Sequence, residues 1–257
     1  MIYLLGDVHG DFDHILAAIP AADPQGRRRT VIFLGDIQAQ RPFEDEIRPL
    51  LDAGIEVWFI PGNHDSGNAA EWRHLLPSQH RNLDGRVVEI EGLRVAGLGG
   101  TFREKIWLPP SPMRFRAYRY FEKDLRRQSM QQSARERLLL RYSTAIFPDV
   151  YESLTAQRAD ILVTHEAPCC HPHGFEAIDH LARTMRVQAL FHGHHHDCLD
   201  YRGWDAQLGF RAYGVGFRGI MDQDGGTLLA GGFDESRRYR ERTPAEHAPE
   251  SQTPQPG

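Results

Sequence analysis

Cysteine is scarce in this sequence, and long apolar runs are missing. Three cysteines, Cys169, Cys170 and Cys198, occur among 257 residues, and an odd count with an adjacent pair is a poor framework for disulfides. We therefore expect reduced thiols. No run approaches the roughly 20 apolar residues that a membrane helix needs, and the first residues do not resemble a secretory leader. These absences predict a soluble, cytoplasmic protein.

An overall positive charge is missing as well. The formal net charge is -5, which argues against a globally basic nucleic-acid binder but not against a local basic surface. The hydrophobic fraction of 40% is enough for one domain with a full core. We predict that residues 1–242 form this domain. Residues 243–257 are rich in Pro, Gln and Glu, and we predict that they are disordered.

Strand-like and helix-like segments alternate in the first third of the chain. The strand-like segments are 2–5, 30–34 and 55–60, and the helix-like segments that follow them are 11–19, 43–51 and 68–76. This alternation predicts an α/β fold with parallel strands and right-handed crossovers. Further strands are predicted at 86–90, 93–98, 161–164, 189–192, 207–214 and 227–230. A charged, helix-like stretch at about 103–147 is predicted to be an inserted helical cap.

Acidic, amide and histidine side chains follow five of these strand-like segments. In chain order they are Asp7 with His9, Asp36, Asn63 with His64, His165, and His194 with His196. The carboxyl ends of parallel strands open into one crevice, which is where open α/β sheets place their sites. The sequence therefore predicts one convergent site.

The side chains of this predicted site are oxygen and nitrogen donors. Such a set suits divalent manganese, iron or zinc better than calcium or magnesium. Two ions held roughly 3.5 to 4 Å apart can bind the attacking and leaving oxygens of an in-line displacement and lower the pKa of a bridging water. Asp36 is the natural candidate for a bridging carboxylate. A His oriented by a carboxylate can act as an acid near neutral pH, which points to His64 with Asp65.

The motifs D-x-H, G-D, G-N-H-D, a lone His and G-H-x-H occur in this order between Gly6 and His196. Together they resemble the calcineurin-like metallophosphoesterase superfamily. The resemblance implies a four-layer α/β/β/α sandwich that hydrolyses phosphate esters by in-line attack of a hydroxide bridging two divalent ions. We favour manganese, with iron, zinc or nickel as the other candidates.

The resemblance also implies a role for each matching residue. The first metal would be held by Asp7, His9, Asp36 and His196, and the second by Asp36, Asn63, His165 and His194. His64 would stabilise the transition state and protonate the leaving oxygen. Asp65 is expected to orient the His64 ring.

Each of these motifs has a simpler explanation when it stands alone. Gly35-Asp36 is a common turn dipeptide, and residues 193–196 could be a histidine-rich surface run. Their joint occurrence, in order and after strand-like segments, favours the site. Strand alternation would direct His195 away from the metals.

Cys169, Cys170, His171 and His173 lie just downstream of His165, so a second metal site is conceivable. Their spacing matches no familiar zinc pattern. We expect these residues to line one wall of the pocket instead.

The substrate is left open by these motifs. Protein serine/threonine phosphatases and dinucleoside tetraphosphatases carry G-D-x-x-D-R, whereas residues 35–40 here lack the second Asp and the Arg. This departure, with the histidines of residues 193–196, favours phosphodiester or nucleotide-type substrates. The alternatives are a phosphomonoesterase acting on phosphoproteins or small phosphates, and a catalytically silent scaffold of the same fold.

The predicted cap adds a hypothesis about the substrate. Basic residues outnumber acidic ones between 103 and 141, and Phe115, Tyr118, Tyr120 and Phe121 are interleaved with them. Exposed aromatic rings can stack on bases, so this segment could steer a nucleotide or nucleic acid toward the site through arginines such as Arg114. The alternative is a solvated helix face whose aromatic residues form the buried stripe.

Overall fold

The structure is a computed structural model that describes residues 1–21, 25–241 and 243–244. The strands are β1 (Ile2–Leu5), β2 (Arg29–Phe33), β3 (Ile55–Phe59), β4 (Val87–Ile90), β5 (Leu93–Leu98), β6 (Ile161–Thr164), β7 (Ala189–His192), β8 (Arg211–Gly214), β9 (Ile220–Asp222) and β10 (Thr227–Leu229). The α-helices are α1 (Asp13–Ala18), α2 (Phe43–Glu46), α3 (Arg48–Asp52), α4 (Ala69–Leu75), α5 (Tyr118–Arg127), α6 (Gln132–Arg141), α7 (Pro148–Thr155), α8 (Glu176–Met185), α9 (Asp205–Leu208) and α10 (Asp234–Arg237). Short 3₁₀ helices span Leu76–Arg81, Arg202–Trp204 and Arg238–Arg240. From residue 245 on, the predicted disordered tail lies outside the described residues.

The strands form two five-stranded sheets. The first has the order β10-β9-β1-β2-β3, and the second has the order β4-β5-β6-β7-β8. Strands β1, β2 and β3 are parallel to one another, as are β5, β6, β7 and β8. The parallel strands expected from the first third of the chain are therefore confirmed. Because each run is parallel, its strands end at the same edge of their sheet.

The two sheets pack face to face, with helices on both outer surfaces. Ile2 and Leu4 of β1 belong to an apolar cluster that also contains Val163 and Phe191 of the second sheet. The alternate residues of β1 point outward and join a cluster that includes Ile15 of α1. This alternation follows from the two-residue period of a strand. The four-layer α/β/β/α architecture is confirmed.

Helix α5 packs on the outer face of the second sheet. Phe121 and Leu125 of α5 are fully buried and share an apolar cluster with Phe147 and with Leu162 of β6. Helix α6 has no fully buried residue. Helix α5 is therefore part of the folded core, and a separate cap over residues 103–147 stays a prediction.

Three elements depart clearly from the sequence prediction. The helix predicted at 43–51 is divided into α2 and α3 at Ile47, next to Pro49, which has no N–H for a continuous helix. The strand predicted at 207–214 begins only at Arg211, because α9 precedes it and Gly209 ends that helix with φ at +78°. Strand β9 was not predicted, and it is only three residues long.

The helices and the cysteines of the described part of the chain bear on membrane crossing and on disulfides. No helix there combines the length and the apolar character that crossing a bilayer requires. All three cysteines are free, with Cys169 and Cys170 buried. The prediction of reduced thiols agrees with this arrangement.

Two neighbouring residues of α5 test whether this helix is part of the core. Phe121 is fully buried, whereas Tyr120 is 49% exposed. We expect Phe121→Ala to lower the free energy of unfolding by about 3–5 kcal/mol, because a large cavity would remain. Tyr120→Ala should change it by less than about 0.5 kcal/mol. Urea unfolding of both variants checks this, and equal effects would contradict the packing of α5.

Candidate functional site

The carboxyl ends of the parallel strands bring the predicted site residues together from both sheets. Asp7 follows β1 and Asp36 follows β2, whereas His165 follows β6 and His194 follows β7. The backbone N–H of His194 donates to both carboxylate oxygens of Asp7, at 3.1 and 3.0 Å. This contact joins the loop after β7 directly to the loop after β1.

One group of converging side chains contains Asp7, His9, Asp36 and His196. One ligand atom from each lies within 4.8 Å of the others. The Nε2 atoms of His9 and His196 are 3.1 Å apart. His196 Nε2 is 3.9 Å from Asp7 Oδ1, and His9 Nε2 is 4.0 Å from Asp36 Oδ2. Two ring nitrogens and two carboxylates thus face a common point.

A second group contains Asp36, His165 and His194, again within 4.8 Å. His165 Nε2 lies 3.5 Å from Asp36 Oδ1 and 3.1 Å from Asn63 Oδ1. The other ring nitrogen of His165 donates to the Leu34 carbonyl at 2.7 Å. That hydrogen bond places the proton on Nδ1 and directs Nε2 toward the group, as is usual for histidines that bind metals.

Buried atoms without partners indicate that the two groups fit cations. Asp36 Oδ2 and His194 Nδ1 are buried and have no hydrogen-bond partner within the described residues. An unsatisfied buried polar atom costs about 1–3 kcal/mol, and a bound ion would remove this cost. The mixed carboxylate, amide and imidazole donors match divalent transition metals.

Glu166, His194 and His195 also have converging atoms. Glu166 Oε1, however, already accepts a hydrogen bond from the Phe102 N–H at 2.9 Å. The two groups that share Asp36 are therefore the better candidates for metal binding.

The pKa values of the buried carboxylates depend on neighbouring charges. Burial raises the pKa of Asp7 well above its usual value. Burial also opposes the ionisation of Asp36, but His165 outweighs it and lowers the pKa of Asp36. In the same way, burial opposes the charging of His165, while Asp36 and Asp7 outweigh it and raise its pKa to about 10. Without metal, a proton on His165 carries positive charge at the point where the carboxylates converge.

Two other histidines are held neutral. Burial and the charge of His165 lower the pKa of His194 to about 3. Burial and His9 lower the pKa of His196 to about 4. Neutral imidazole is the form that binds metals, so these ring nitrogens are available at neutral pH.

The loops that carry the site have an unusual backbone. His9, Asp36, His194 and His196 all have positive φ, at 44°, 48°, 70° and 56°. Residues with a side chain rarely adopt this region, and each such residue costs about 1–3 kcal/mol. Gly62 is required beside them, because a Cβ there would meet the backbone and carboxylate of Asp36.

His64 lies at the exposed rim of the site. Its backbone N–H donates to Asp36 Oδ1 at 2.7 Å, and its ring centroid is 5.3 Å from that of His9. The side chain is thereby anchored next to the metal groups while its ring faces solvent.

Asp65 has a different arrangement from the expected hydrogen bond to the His64 ring. Its carboxylate is fully buried and accepts from the backbone N–H groups of Gly62 at 2.7 Å and Gln38 at 2.8 Å. Burial and the charge of Asp36 raise the pKa of Asp65 to about 7. The structure therefore makes Asp65 a link between the loops after β2 and β3, because the carboxylate binds backbone from both.

Sequence reasoning missed two residues that contact the candidate ligands. Gln38 Oε1 accepts a hydrogen bond from His9 Nδ1, which leaves His9 Nε2 free to face the first group. The Phe217 ring packs against those of His9 and His196, with centroids 5.5 and 5.2 Å apart. Phe217 lies in no motif, and Gln38 occupies an unspecified position after Gly35-Asp36. No signal in one sequence pairs either residue with distant histidines.

The cysteine and histidine stretch after His165 packs behind the site. The His171 ring stacks on His195 with centroids 3.8 Å apart, and His171 Nε2 lies 3.4 Å from Asp197 Oδ1. Cys169 and Cys170 belong to the apolar cluster on the outer face of the second sheet. In the described residues, neither cysteine joins a group of converging ligands.

Comparison with known proteins gives relatives of two kinds. A protein of Haemophilus influenzae described as uncharacterized is 40% identical over 237 residues, covering 89% of this chain and 96% of that one. The symmetrical bis(5′-nucleosyl)-tetraphosphatase of Klebsiella pneumoniae is 38% identical over 64 residues, which are 24% of this chain and 23% of the tetraphosphatase. The chain thus matches less than a quarter of the length of that second relative.

A solved structure and a family model were also matched. The crystal structure of TT1561 of Thermus thermophilus has a TM-score of 0.47 and 16% identity, covering 86% of this chain and 93% of that one. Residues 1–198 match the model of the calcineurin-like phosphoesterases. This match runs from β1 to just beyond the last candidate ligand, His196, and the chain belongs to the calcineurin-like phosphoesterase family.

Proposed function

We propose that this chain is a phosphoester hydrolase that works with two divalent metal ions and favours phosphodiester or nucleotide-type substrates. The observation that carries the proposal is the shared position of Asp36. Its Oδ2 faces the group with His9, at 4.0 Å, and its Oδ1 faces the group with His165, at 3.5 Å. A carboxylate common to two adjacent donor groups is suited to a pair of ions.

The ligands that we propose follow these two groups. Asp7, His9, Asp36 and His196 would hold one ion, and Asp36, Asn63, His165 and His194 would hold the other. When bound, the ions would supply a water of lowered pKa as the nucleophile and stabilise charge on the phosphate. Manganese as the metal in the cell and the cytoplasm as its location stay predictions.

His64 is the residue that we propose as the general acid. Its exposed ring has no hydrogen bond within the described part of the chain, and the contact of its backbone N–H with Asp36 holds it beside the metal groups. An imidazole in this place can stabilise the transition state and donate a proton to the leaving oxygen. Asp65 would act as a positioning residue, because its contacts hold the loop that carries His64.

Two features favour a diester or nucleotide-type substrate. The residues after Gly35-Asp36 lack the second Asp and the Arg of the G-D-x-x-D-R motif that protein phosphatases carry, which favours a diester over a phosphoprotein. The local similarity to a symmetrical bis(5′-nucleosyl)-tetraphosphatase supports a substrate that contains nucleotides. The missing Arg argues that phosphate would be held here by other cations of the chain.

A pair of chromogenic esters tests the reaction. We expect manganese-loaded protein to hydrolyse bis(p-nitrophenyl) phosphate faster than p-nitrophenyl phosphate. His64→Ala should lower kcat by about 10²-fold, the lower end for acid–base groups, because the imidazole that would stabilise the transition state is lost while p-nitrophenolate needs little protonation. Metal content should not change. Preference for the monoester would favour a phosphomonoesterase, and no turnover of either ester would favour a scaffold.

Metal content tests the shared carboxylate separately from turnover. We expect two ions per chain in the purified, manganese-loaded protein by elemental analysis. Asp36→Asn should retain clearly fewer than two, because a neutral amide is a poor bridge, while the amide oxygen can still accept from the His64 N–H and preserve the loop. Glu166→Gln, in the neighbouring trio, is the matched control and should keep both ions. Equal metal content in the two variants would contradict the proposal.

A further inference from the structure

A cleft of about 690 Å³ opens beside His64. Its lining includes His64 and Asn63 together with Arg103, Arg137 and Arg141. We call this cavity the arginine cleft. Because it shares His64 and Asn63 with the candidate site, it adjoins the place where the ester bond would be broken.

The three arginines of the cleft lack the ion pairs that other arginines of the same segment form. Elsewhere in that segment, Arg116 pairs with Glu152 at 2.7 Å and Arg126 pairs with Glu122 at 2.8 Å. In the described part of the chain, no carboxylate oxygen lies within 4.0 Å of a guanidinium nitrogen of the cleft arginines. The positive charge of these three arginines is therefore not neutralised by an ion pair.

Arg103 is the cleft arginine whose charge is least compensated by its surroundings. Its Nε atom is buried and has no hydrogen-bond partner within the described residues. Burial and repulsion from Arg141 both lower the pKa of Arg103. A guanidinium stays charged in proteins, so an anion in the cleft would satisfy the buried donor and relieve the repulsion.

Helix α6 gives the cleft a mixed surface. Arg137 and Arg141 are four residues apart and therefore lie on the same face of the helix. Ala134 and Leu138 line the cleft from that face as well. The volume is in the range of small-molecule sites, which is about 300–1,000 Å³. The guanidinium groups can bind phosphate through paired hydrogen bonds, and the aliphatic side chains can contact an organic group. The cleft therefore suits a phosphorylated organic group.

We propose that the arginine cleft binds a second phosphate of the substrate, carried by the leaving group, and this inference rests on the proposed hydrolysis at the metal centre. The preferred substrates are then phosphate esters with another phosphate beyond the scissile bond. The position of His64 indicates which side of the scissile bond faces the cleft. His64 would protonate the leaving oxygen, and it also lines the cleft. The leaving group would thus extend from His64 toward Arg137 and Arg141.

The arginines and aromatic residues that the sequence suggested for steering the substrate have other contacts. Arg114 lies 3.8 Å from Glu104, and Arg119 contacts the hydroxyl of the exposed Tyr120. Phe121 is fully buried in the core and is not available to stack on a base. Recognition is therefore assigned to Arg103, Arg137 and Arg141 and to phosphate rather than to aromatic stacking.

Two dinucleotides that differ only in their terminal phosphates test the inference. One is adenylyl-adenosine with free ends, and the other carries a phosphate at each end. We expect the metal-loaded protein to have a kcat/KM at least about tenfold higher for the phosphorylated form, since charged hydrogen bonds each contribute about that factor or more. Arg137→Gln/Arg141→Gln should abolish this preference. The matched control Arg116→Gln/Arg126→Gln should retain it. Because the preference is a ratio of two substrates for one protein, it does not depend on the active fraction.

A binding measurement separates the cleft from the chemistry. Calorimetric titration of metal-loaded His64→Ala with the phosphorylated dinucleotide gives a Kd that does not depend on turnover, and adding Arg137→Gln/Arg141→Gln should weaken binding about tenfold or more. Hydrolysis of the chromogenic diester without any preference between the dinucleotides would overturn the cleft assignment and leave the proposed function standing. Absence of all turnover would overturn the proposed function, and the Kd comparison would still decide the cleft, with equal affinities overturning it.

Discussion

The buried carboxylate of Asp36 is the contact on which the rest of the site depends. It follows β2, which lies between β1 and the edge strand β3, and one of its oxygens faces each group of candidate ligands. It also accepts the backbone N–H of His64, which anchors the proposed acid. His165 approaches it from the second sheet. The two groups of candidate metal ligands, the position of the proposed acid and the packing of the two sheets at this edge are therefore coupled through one side chain.

The site holds charges and backbone conformations that are unfavourable without a ligand. Asp7 and Asp36 are both buried, and the burial of Asp7 raises its pKa far above the usual range. Several site residues adopt positive φ, and buried polar atoms of Asp36 and His194 lack partners within the described residues. Such costs are typical of functional sites, where the surrounding fold fixes a geometry that a ligand then stabilises. The rigid two-sheet core supplies that support, because the strands preceding the site are almost fully buried.

Much of this arrangement could be predicted from the sequence because it follows from local patterns. The alternation of strands and helices indicated parallel strands, and parallel strands bring Asp7 and Asp36 to one edge of the first sheet. His165 reaches the same place from the second sheet, which the alternation did not indicate. The contacts that depend on chain segments far apart could not be predicted. The hydrogen bond from His9 to Gln38 and the backbone partners of Asp65 are of this kind, because both depend on how two loops meet after folding. The positive φ values could not be predicted either. Gly is the residue that usually indicates such a conformation, and Asp and His occupy these positions instead.

The central claim is that Asp36 bridges two metal ions, and anomalous diffraction from manganese-soaked crystals of the full chain tests it most directly. The account predicts two anomalous peaks, one on each side of the Asp36 carboxylate. One peak should be in contact with Asp7, His9 and His196, and the other with Asn63, His165 and His194. A single peak, or peaks that do not contact Asp36, would contradict the account.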